Sequence, residues 1–231
     1  MSLLVDGFKE AIELLISGDD SVYSAIIVTI TVSSWSILIS LILGLPLGFL
    51  LGYYQFKGKT VIKTIVDTFL AFPTVVIGLL VYTTLSQAGA FGEYNLLFTQ
   101  KAIIIGQIFL GLPIIIALTA AQVESTDKRL YLSLKGLGAK PYQILLTTLV
   151  EARFGLMTAA MTAYGRIITE IGISMMVGGN IKYHTRTITT AISLETGKGE
   201  FETGIALGLV LFIVALMVNI ALSMLKRGWT Q

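Results

Sequence analysis

The sequence predicts an all-α integral membrane protein with about five transmembrane helices, and three observations support this fold class. Hydrophobic residues make up 55% of the 231 residues, and the mean hydropathy is +0.84. Charged residues make up only 13%, against roughly 25% in soluble domains. The apolar residues also fall into stretches of about 20 or more, the length that crosses a bilayer. We therefore expect a single transmembrane domain over residues 1–231, with the lipid bilayer as its main solvent.

Five apolar stretches predict the spans, at residues 22–54, 62–86, 102–122, 154–177 and 203–225. The first span carries three glycines at four-residue spacing, Gly44, Gly48 and Gly52. Such a row lets two helix backbones approach closely in lipid. The first three spans each contain a proline, Pro46, Pro73 and Pro113, and each proline predicts a kink.

Two further segments are too polar to span a membrane. In residues 1–20, Leu4, Phe8 and Ile12 recur at helical spacing between acidic residues, which predicts an amphipathic helix at the membrane surface. Residues 123–153 mix charged residues with leucines. We expect this second segment to form one or two short surface helices, broken at Gly136, Gly138 and Pro141.

Basic residues predict the orientation of the chain. With the N-terminus outside, the inner segments 53–63, 122–153 and 226–231 hold ten Lys and Arg residues, and the outer segments hold five. Because basic residues stay in the cytoplasm, we expect an external N-terminus and a cytoplasmic C-terminus.

The composition also narrows the function. There is no cysteine and only one histidine, His184, so thiol chemistry is excluded and little material remains for a metal site or acid–base catalysis. The net charge of +2 is far from the dense basic patch of a nucleic-acid binder. The sequence contains no phosphate-binding G-x-x-x-x-G-K-[ST] loop. We expect a transport protein and not an enzyme, with no cofactor bound to this chain.

One motif in the inner segment carries a family resemblance. Leu137-Gly138-Ala139, followed by a helix into the next span, resembles the cytoplasmic coupling loop of binding-protein-dependent ABC importer permeases. The flanks Leu132-Ser133-Leu134 and Thr148-Leu149-Val150-Glu151 depart from the family pattern. The resemblance implies a type I ABC importer-like fold in which an ATPase is contacted by Leu134, Lys135, Gly136, Leu137, Gly138, Ala139, Lys140 and Pro141. On pattern alone, a plain interfacial helix is an equally open interpretation.

A second resemblance concerns the substrate. Gly178-Gly179-Asn180-Ile181 and the run 185–192 are similar to the corresponding region of molybdate, sulfate and tungstate permeases, and 194–200 most resembles the tungstate branch. It implies a tungstate importer of the cell (inner or plasma) membrane, with molybdate or sulfate as the alternative. It also implies three kinds of partner: a second copy of the chain, two ATP-binding-cassette ATPase subunits that hold ATP and Mg, and an extracytoplasmic oxyanion-binding protein.

The same region supplies a candidate substrate pathway, made of Gly178, Gly179, Asn180, Thr185, Arg186, Thr187, Thr189 and Thr190. Hydroxyls and backbone N–H groups donate hydrogen bonds to an anion without a full opposing charge, and an arginine near the outer mouth attracts it. The alternative is that these threonines cap helices and that Arg186 pairs with an acid on the binding protein.

Two charged residues lie inside the fourth predicted span. Arg166 and Glu170 are four residues apart, so they share a helix face and can pair. Pairing lowers the cost of about 2.5–3.5 kcal/mol for each charge at mid-membrane. A structural brace and a functional role both remain open for the pair.

Other classes of function stay open on sequence grounds. An ATP-independent anion carrier or channel needs an ion-coupling site and typically has repeated halves, and no clear internal repeat is visible. A membrane enzyme and a non-transporting scaffold are the more distant alternatives.

Overall fold

The computed structural model describes residues 2–126 and 128–228, and all regular secondary structure in these ranges is helical. In chain order the helices are α1 (Ser2–Ser17), α2 (Asp20–Tyr53), α3 (Lys59–Leu70), α4 (Thr74–Leu85), α5 (Gln100–Glu124), α6 (Lys128–Gly136), α7 (Pro141–Ile168), α8 (Gly172–Gly178), α9 (Ile188–Lys198) and α10 (Phe201–Gly228). A short 3-10 turn, Gly92–Tyr94, precedes α5. Helices α2, α5, α7 and α10 are long and apolar enough to cross a membrane, and α3 with α4 gives a fifth span if this bent pair crosses as one unit. The predicted fold class is confirmed.

The centre of the fold is the contact between α2 and α5, where the predicted close approach is confirmed. A Cβ added to Gly48 would lie 2.7 Å from the carbonyl oxygen of Ile116, and one added to Gly52 would lie 2.7 Å from that of Ala120. Higher in the same contact, the Ser36 hydroxyl donates to Gln107 Oε1 at 2.9 Å. Small side chains thus let α2 and α5 pack backbone against backbone.

The span predicted over 62–86 is broken more sharply than a single kinked helix. The segment forms two helices, α3 and α4, whose axes are bent by 97° around Pro73. Proline has no N–H and disfavours helical backbone in the preceding residue, here Phe72, so α3 ends before it and α4 begins after it.

The boundaries around the fourth span also differ from the prediction. Helix α7 begins at Pro141, well inside the predicted surface segment 123–153, and ends at Ile168, inside the predicted span 154–177. Proline suits the first turn of a helix, where its missing N–H costs nothing, and the Lys140 N–H donates to Gln143 Oε1 at 2.7 Å. The polar segment between α5 and α7 therefore covers only residues 125–140. The loop predicted over 178–202 contains α9.

Contacts with α5 give the relative depth of α7 and α8. Gly155 lies directly against Gln122, near the end of α5, and a Cβ on Gly111 would lie 2.7 Å from Ile167 Cδ1. Further along, the Phe98 N–H donates to the Val177 carbonyl at 2.8 Å. The chain from Gly155 through α8 thus runs antiparallel to α5 along its length. The first third of α7 projects beyond the last turn of α5.

Helix α1 packs against the start of α10. The Thr203 hydroxyl donates to Glu10 Oε1 at 2.7 Å, and Gly7 lies where a Cβ would be 2.7 Å from Ile205. Its opposite side exposes Phe8, Ile12 and Ile16. This unpartnered apolar stripe is the pattern expected of a helix at a membrane surface, where its location stays a prediction.

Candidate functional site

The loop between α8 and α9 is held in a compact conformation with left-handed backbone at three residues. Gly179 has φ +70°, Asn180 has φ +50° and Tyr183 has φ +64°. A Cβ added to Gly179 would also lie 2.7 Å from the Phe98 ring. Glycine is therefore required at this position both by the backbone conformation and by the close contact.

The threonines of this loop form bonds within the chain. The Thr185 hydroxyl is fully buried, donates to the Gly178 carbonyl at 2.5 Å and accepts from the Ile181 N–H at 3.0 Å. Thr187 is the N-cap of α9, where its hydroxyl accepts from the Thr190 N–H at 3.3 Å. These bonds satisfy backbone groups that a turn and a helix start leave free.

The next two threonines join α9 to its neighbours. The Thr189 hydroxyl donates to the Glu170 carbonyl at 3.0 Å, and the Thr190 hydroxyl donates to the Thr187 carbonyl at 3.0 Å. A hydroxyl carries one proton, so in this conformation these side chains have none left for an anion. The geometry thus favours the capping alternative for the threonines, and their contact with substrate stays a prediction.

Arg186 lies on the more open side of the loop. Its Nε donates to Asn180 Oδ1 at 3.1 Å, and its Nη2 donates to the Asn180 carbonyl at 3.4 Å. The residue is half-buried beside the exposed stretch 181–184. Of the predicted pathway residues, Gly179, Asn180 and Arg186 are therefore the ones that the structure leaves partly open to solvent.

Arg166 and Glu170 lie within ion-pair distance, with 3.1 Å between Arg166 Nη1 and Glu170 Oε2. Glu170 is not inside a helix, because α7 ends at Ile168, and its Oε1 accepts from the Ile173 N–H at the start of α8 at 3.2 Å. The Glu170 side chain is 2% exposed and that of Arg166 is 45% exposed. The carboxylate is therefore hidden and internally paired, whereas the cation faces outward.

The predicted coupling residues 134–141 form one projecting turn between α6 and α7. The Ala139 N–H donates to the Leu134 carbonyl at 3.0 Å and the Gly138 N–H to that of Lys135 at 3.1 Å, the Schellman pattern of a helix end. Gly138 has φ +77° with no atom within 4 Å of an added Cβ. Leu137 at the tip is 83% exposed, which suits contact with another protein.

A charged cluster at the base of this turn was missed by the sequence reasoning. Glu124, the last residue of α5, accepts from Lys59 Nζ at 2.9 Å and from Lys63 Nζ at 2.6 Å. Lys59 also donates to the carbonyls of Gly52 and Tyr54 at 3.2 Å, at the end of α2. The cluster joins the ends of α2, α3 and α5 directly before α6. No local spacing could reveal it, because the partners are about 60 residues apart in the chain.

Comparison with known proteins adds the family. Residues 44–231 match the model of the binding-protein-dependent transport system inner membrane component. The chain is 52% identical to the tungstate uptake system permease protein TupB of Campylobacter jejuni, over 98% of this chain and 95% of that protein. It is 34% identical to the TupB protein of Peptoclostridium acidaminophilum, over 98% of this chain and all of that one.

A solved structure gives the same fold. The crystal structure of a bacterial alginate ABC transporter, in complex with an alginate pentasaccharide-bound periplasmic protein, aligns with a TM-score of 0.77 at 20% identity, covering 97% of this chain and 88% of that one. At this identity the likeness concerns the fold alone. Together with the family match over most of the chain, it leads to one conclusion: the chain belongs to the binding-protein-dependent transport system inner membrane components.

Proposed function

We propose that this chain is the membrane-spanning permease subunit of an ATP-driven tungstate importer. The observation that carries the proposal is 52% identity to a tungstate uptake permease over nearly the whole chain. The match covers 98% of this chain, so it includes the α8–α9 loop and the projecting turn before α7, where substrate and partner contacts are proposed.

The transporter contains two copies of this chain, two ATP-binding-cassette subunits and an extracytoplasmic oxyanion-binding protein. The N-terminus faces outward and the C-terminus lies in the cytoplasm, as the bias of basic residues favours. The projecting turn 134–141 then lies on the cytoplasmic side, where it docks to the ATPase. The exposure of Leu137 and the open backbone at Gly138 support this role.

The α8–α9 loop then lies at the outer mouth, where the binding protein releases its anion. Arg186 supplies positive charge there. Most backbone N–H groups between Gly179 and Thr190 are bonded within the chain, so the guanidinium is the main donor that the loop offers. Weak and multiple contacts suit conduction, because an anion that is held too tightly does not leave. ATP-driven closure of the ATPase subunits moves the projecting turns and opens the pathway outward, and hydrolysis returns it inward.

The test is uptake in proteoliposomes that contain this chain, its ATPase and its binding protein. With ATP present, tungstate is expected to accumulate and to resist competition from equal molybdate or sulfate. Preferred uptake of molybdate or sulfate would overturn tungstate as the substrate but would leave the assignment as an ATP-driven importer unchanged. Uptake that does not depend on ATP would indicate a carrier or channel and overturn the importer itself.

A further inference from the structure

One exposed face of α7 is polar along its length. From Ala152 to Ile168 of α7 and on to Thr169, the exposed residues are all polar: Thr158, Thr162, Arg166 and Thr169. They recur at spacings of four and three, so they form one continuous stripe. Most exposed residues of α2 and α10 are apolar, among them Ile42 and Leu47 on α2 and Phe212 and Leu216 on α10.

Arg166 of this polar face lies near the middle of the membrane-spanning region. Its neighbour Ile167 packs against Gly111. A Cβ added to Gly111 would also lie 3.1 Å from Ser40 Oγ. Gly111 is near the middle of α5, a 25-residue apolar helix. A guanidinium that is 45% exposed at this depth cannot be covered by hydrocarbon at low cost.

Irregular backbone is exposed at the same depth. The break between α7 and α8 meets the break between α3 and α4, because a Cβ on Gly172 would lie 3.2 Å from Thr74 Oγ1 and 3.1 Å from Val75. Pro73 and Ile171, in the two breaks, are exposed. Non-helical backbone at membrane depth is tolerated where protein buries it or where it lines a water-filled cavity.

The cation of the ion pair is the exposed partner on this face. Glu170 is 2% exposed and its two oxygens are occupied by Arg166 and the Ile173 N–H. Within the described residues, only one of the three guanidinium nitrogens of Arg166 has a partner. The face therefore offers spare N–H donors and the positive end of the ion-pair dipole, and hides the carboxylate that would repel an anion.

From these observations we infer that the stripe of Thr158, Thr162, Arg166 and Thr169 is a wall of the translocation route, with Arg166 as a mid-membrane contact for the oxyanion. The inference deepens the proposed function and depends on it for the identity of the anion. It places the passage on α7, in addition to the loop before α9, whose threonine hydroxyls are used internally.

The absence of cysteine from the sequence makes single-cysteine labelling a clean test. Thr162→Cys and Thr169→Cys are compared with the control Ile42→Cys, an exposed position on α2. Ile42 is two residues from Ser40, and both Ser40 and Ile167 pack against Gly111. The control therefore lies at a similar depth. The whole transporter, in membrane vesicles with and without ATP, is treated with the anionic reagent 2-sulfonatoethyl methanethiosulfonate. We expect the two α7 positions to react at least about tenfold faster than the control in one of these states, because the reactive thiolate forms in water and not in hydrocarbon.

A second measurement tests the role of Arg166. The cysteine of Thr162→Cys lies one helical turn from Arg166, so it should react faster with the anionic reagent than with a cationic thiosulfonate of similar size. Replacing the ion pair by Arg166→Gln and Glu170→Gln together should abolish this preference. A preference that stays unchanged would remove Arg166 from the route.

Two outcomes would overturn the wall itself. One is reactivity equal to that of Ile42→Cys in every state. The other is a Thr162→Cys residue that does not react with the reagent but forms a disulfide between two copies of the chain under an added oxidant, which would make this face a dimer contact. Labelling does not depend on which anion is carried. If the α7 cysteines are labelled rapidly but tungstate is not taken up, only the assignment of the substrate is overturned. If ATP-driven tungstate uptake is intact but the α7 cysteines react no faster than the control, only the wall is overturned.

Discussion

At the scale of single residues, Glu124 joins two lysines at the proposed cytoplasmic end. Its carboxylate binds Lys59 and Lys63 of α3, and Lys59 also binds the last carbonyls of α2. Carbonyls at a helix end have no partner in their own helix, so Lys59 caps α2 while Glu124 balances its charge. Three helix ends are thereby fixed next to the segment proposed to bind the ATPase.

Glu124→Gln is expected to destabilise the protein. Hydrogen bonds to charged groups contribute about 1.5–3 kcal/mol, and we expect the lower end because the Glu124 side chain is 31% exposed. Denaturant unfolding of the purified protein in detergent measures the loss. The control is Glu195→Gln, whose single partner Lys198 is 53% exposed and three residues away on the same helix, so this pair should contribute less than about 1 kcal/mol. Equal losses for the two variants would contradict a bracing role for Glu124.

At the scale of helices, the packing of α2 on α5 depends on glycine. Gly48→Ala would place a Cβ 2.7 Å from the backbone of Ile116, so we expect a loss of about 1–3 kcal/mol from overpacking. In α10, Gly208 has no atom within 4 Å of an added Cβ. Gly208→Ala is therefore the matched control and should cost nothing, since alanine favours helix over glycine by roughly 0.5–1 kcal/mol. Unfolding midpoints measured side by side check both, and a harmless Gly48→Ala would contradict the close approach.

This helix contact was predictable because the three glycines recur at four-residue spacing, which is a local signal. The 97° bend at Pro73 was not, because prolines are tolerated in membrane helices with kinks of any size. The early start of α7 was hidden by Glu151 and Arg153, whose charges indicated a surface segment. Those charges are compatible with a long helix because they lie next to Gly155, which packs against Gln122 in the last turn of α5, at the end of the apolar helix.

The candidate site was predictable in part. Helical spacing of four placed Arg166 beside Glu170, although Glu170 lies in a break that no local pattern marked. The run of threonines from Thr185 to Thr190 is visible in the sequence, but composition cannot tell a hydroxyl used in a cap from one that is free. That distinction needs distant partners such as Thr29, which accepts from the Ile188 N–H at 2.9 Å.

At the scale of the whole molecule, the orientation of the chain decides which end meets the ATPase. Lys140 in the projecting turn and Lys182 in the α8–α9 loop are both exposed and are predicted on opposite sides. In the cysteine-free chain, an impermeant maleimide applied to intact cells should label Lys182→Cys and should reach Lys140→Cys only after permeabilisation. Labelling of Lys140→Cys from outside would reverse the proposed topology.

Coupling between subunits is expected to depend on the left-handed backbone at Gly138. Gly138→Val should strain this turn by about 1–2 kcal/mol, which corresponds to a roughly five- to thirtyfold change in population, and should raise the ATP hydrolysed per tungstate imported. Gly138→Asn should retain coupling, since asparagine tolerates this conformation. Gly197→Val on α9 is the control, because Gly197 lies outside the turn and has no positive φ and no close neighbour. Unchanged stoichiometry in Gly138→Val would remove the turn from the coupling path.

The central claim is that this chain forms a pathway that a separate ATPase drives. The most direct measurement is tungstate accumulation in two preparations of proteoliposomes. One contains this chain, its binding protein and its ATPase, and the other is identical but lacks the ATPase. We predict accumulation against a gradient in the complete preparation and none above empty liposomes when the ATPase is left out. Tungstate flux through the chain in the absence of the ATPase and ATP would contradict the account.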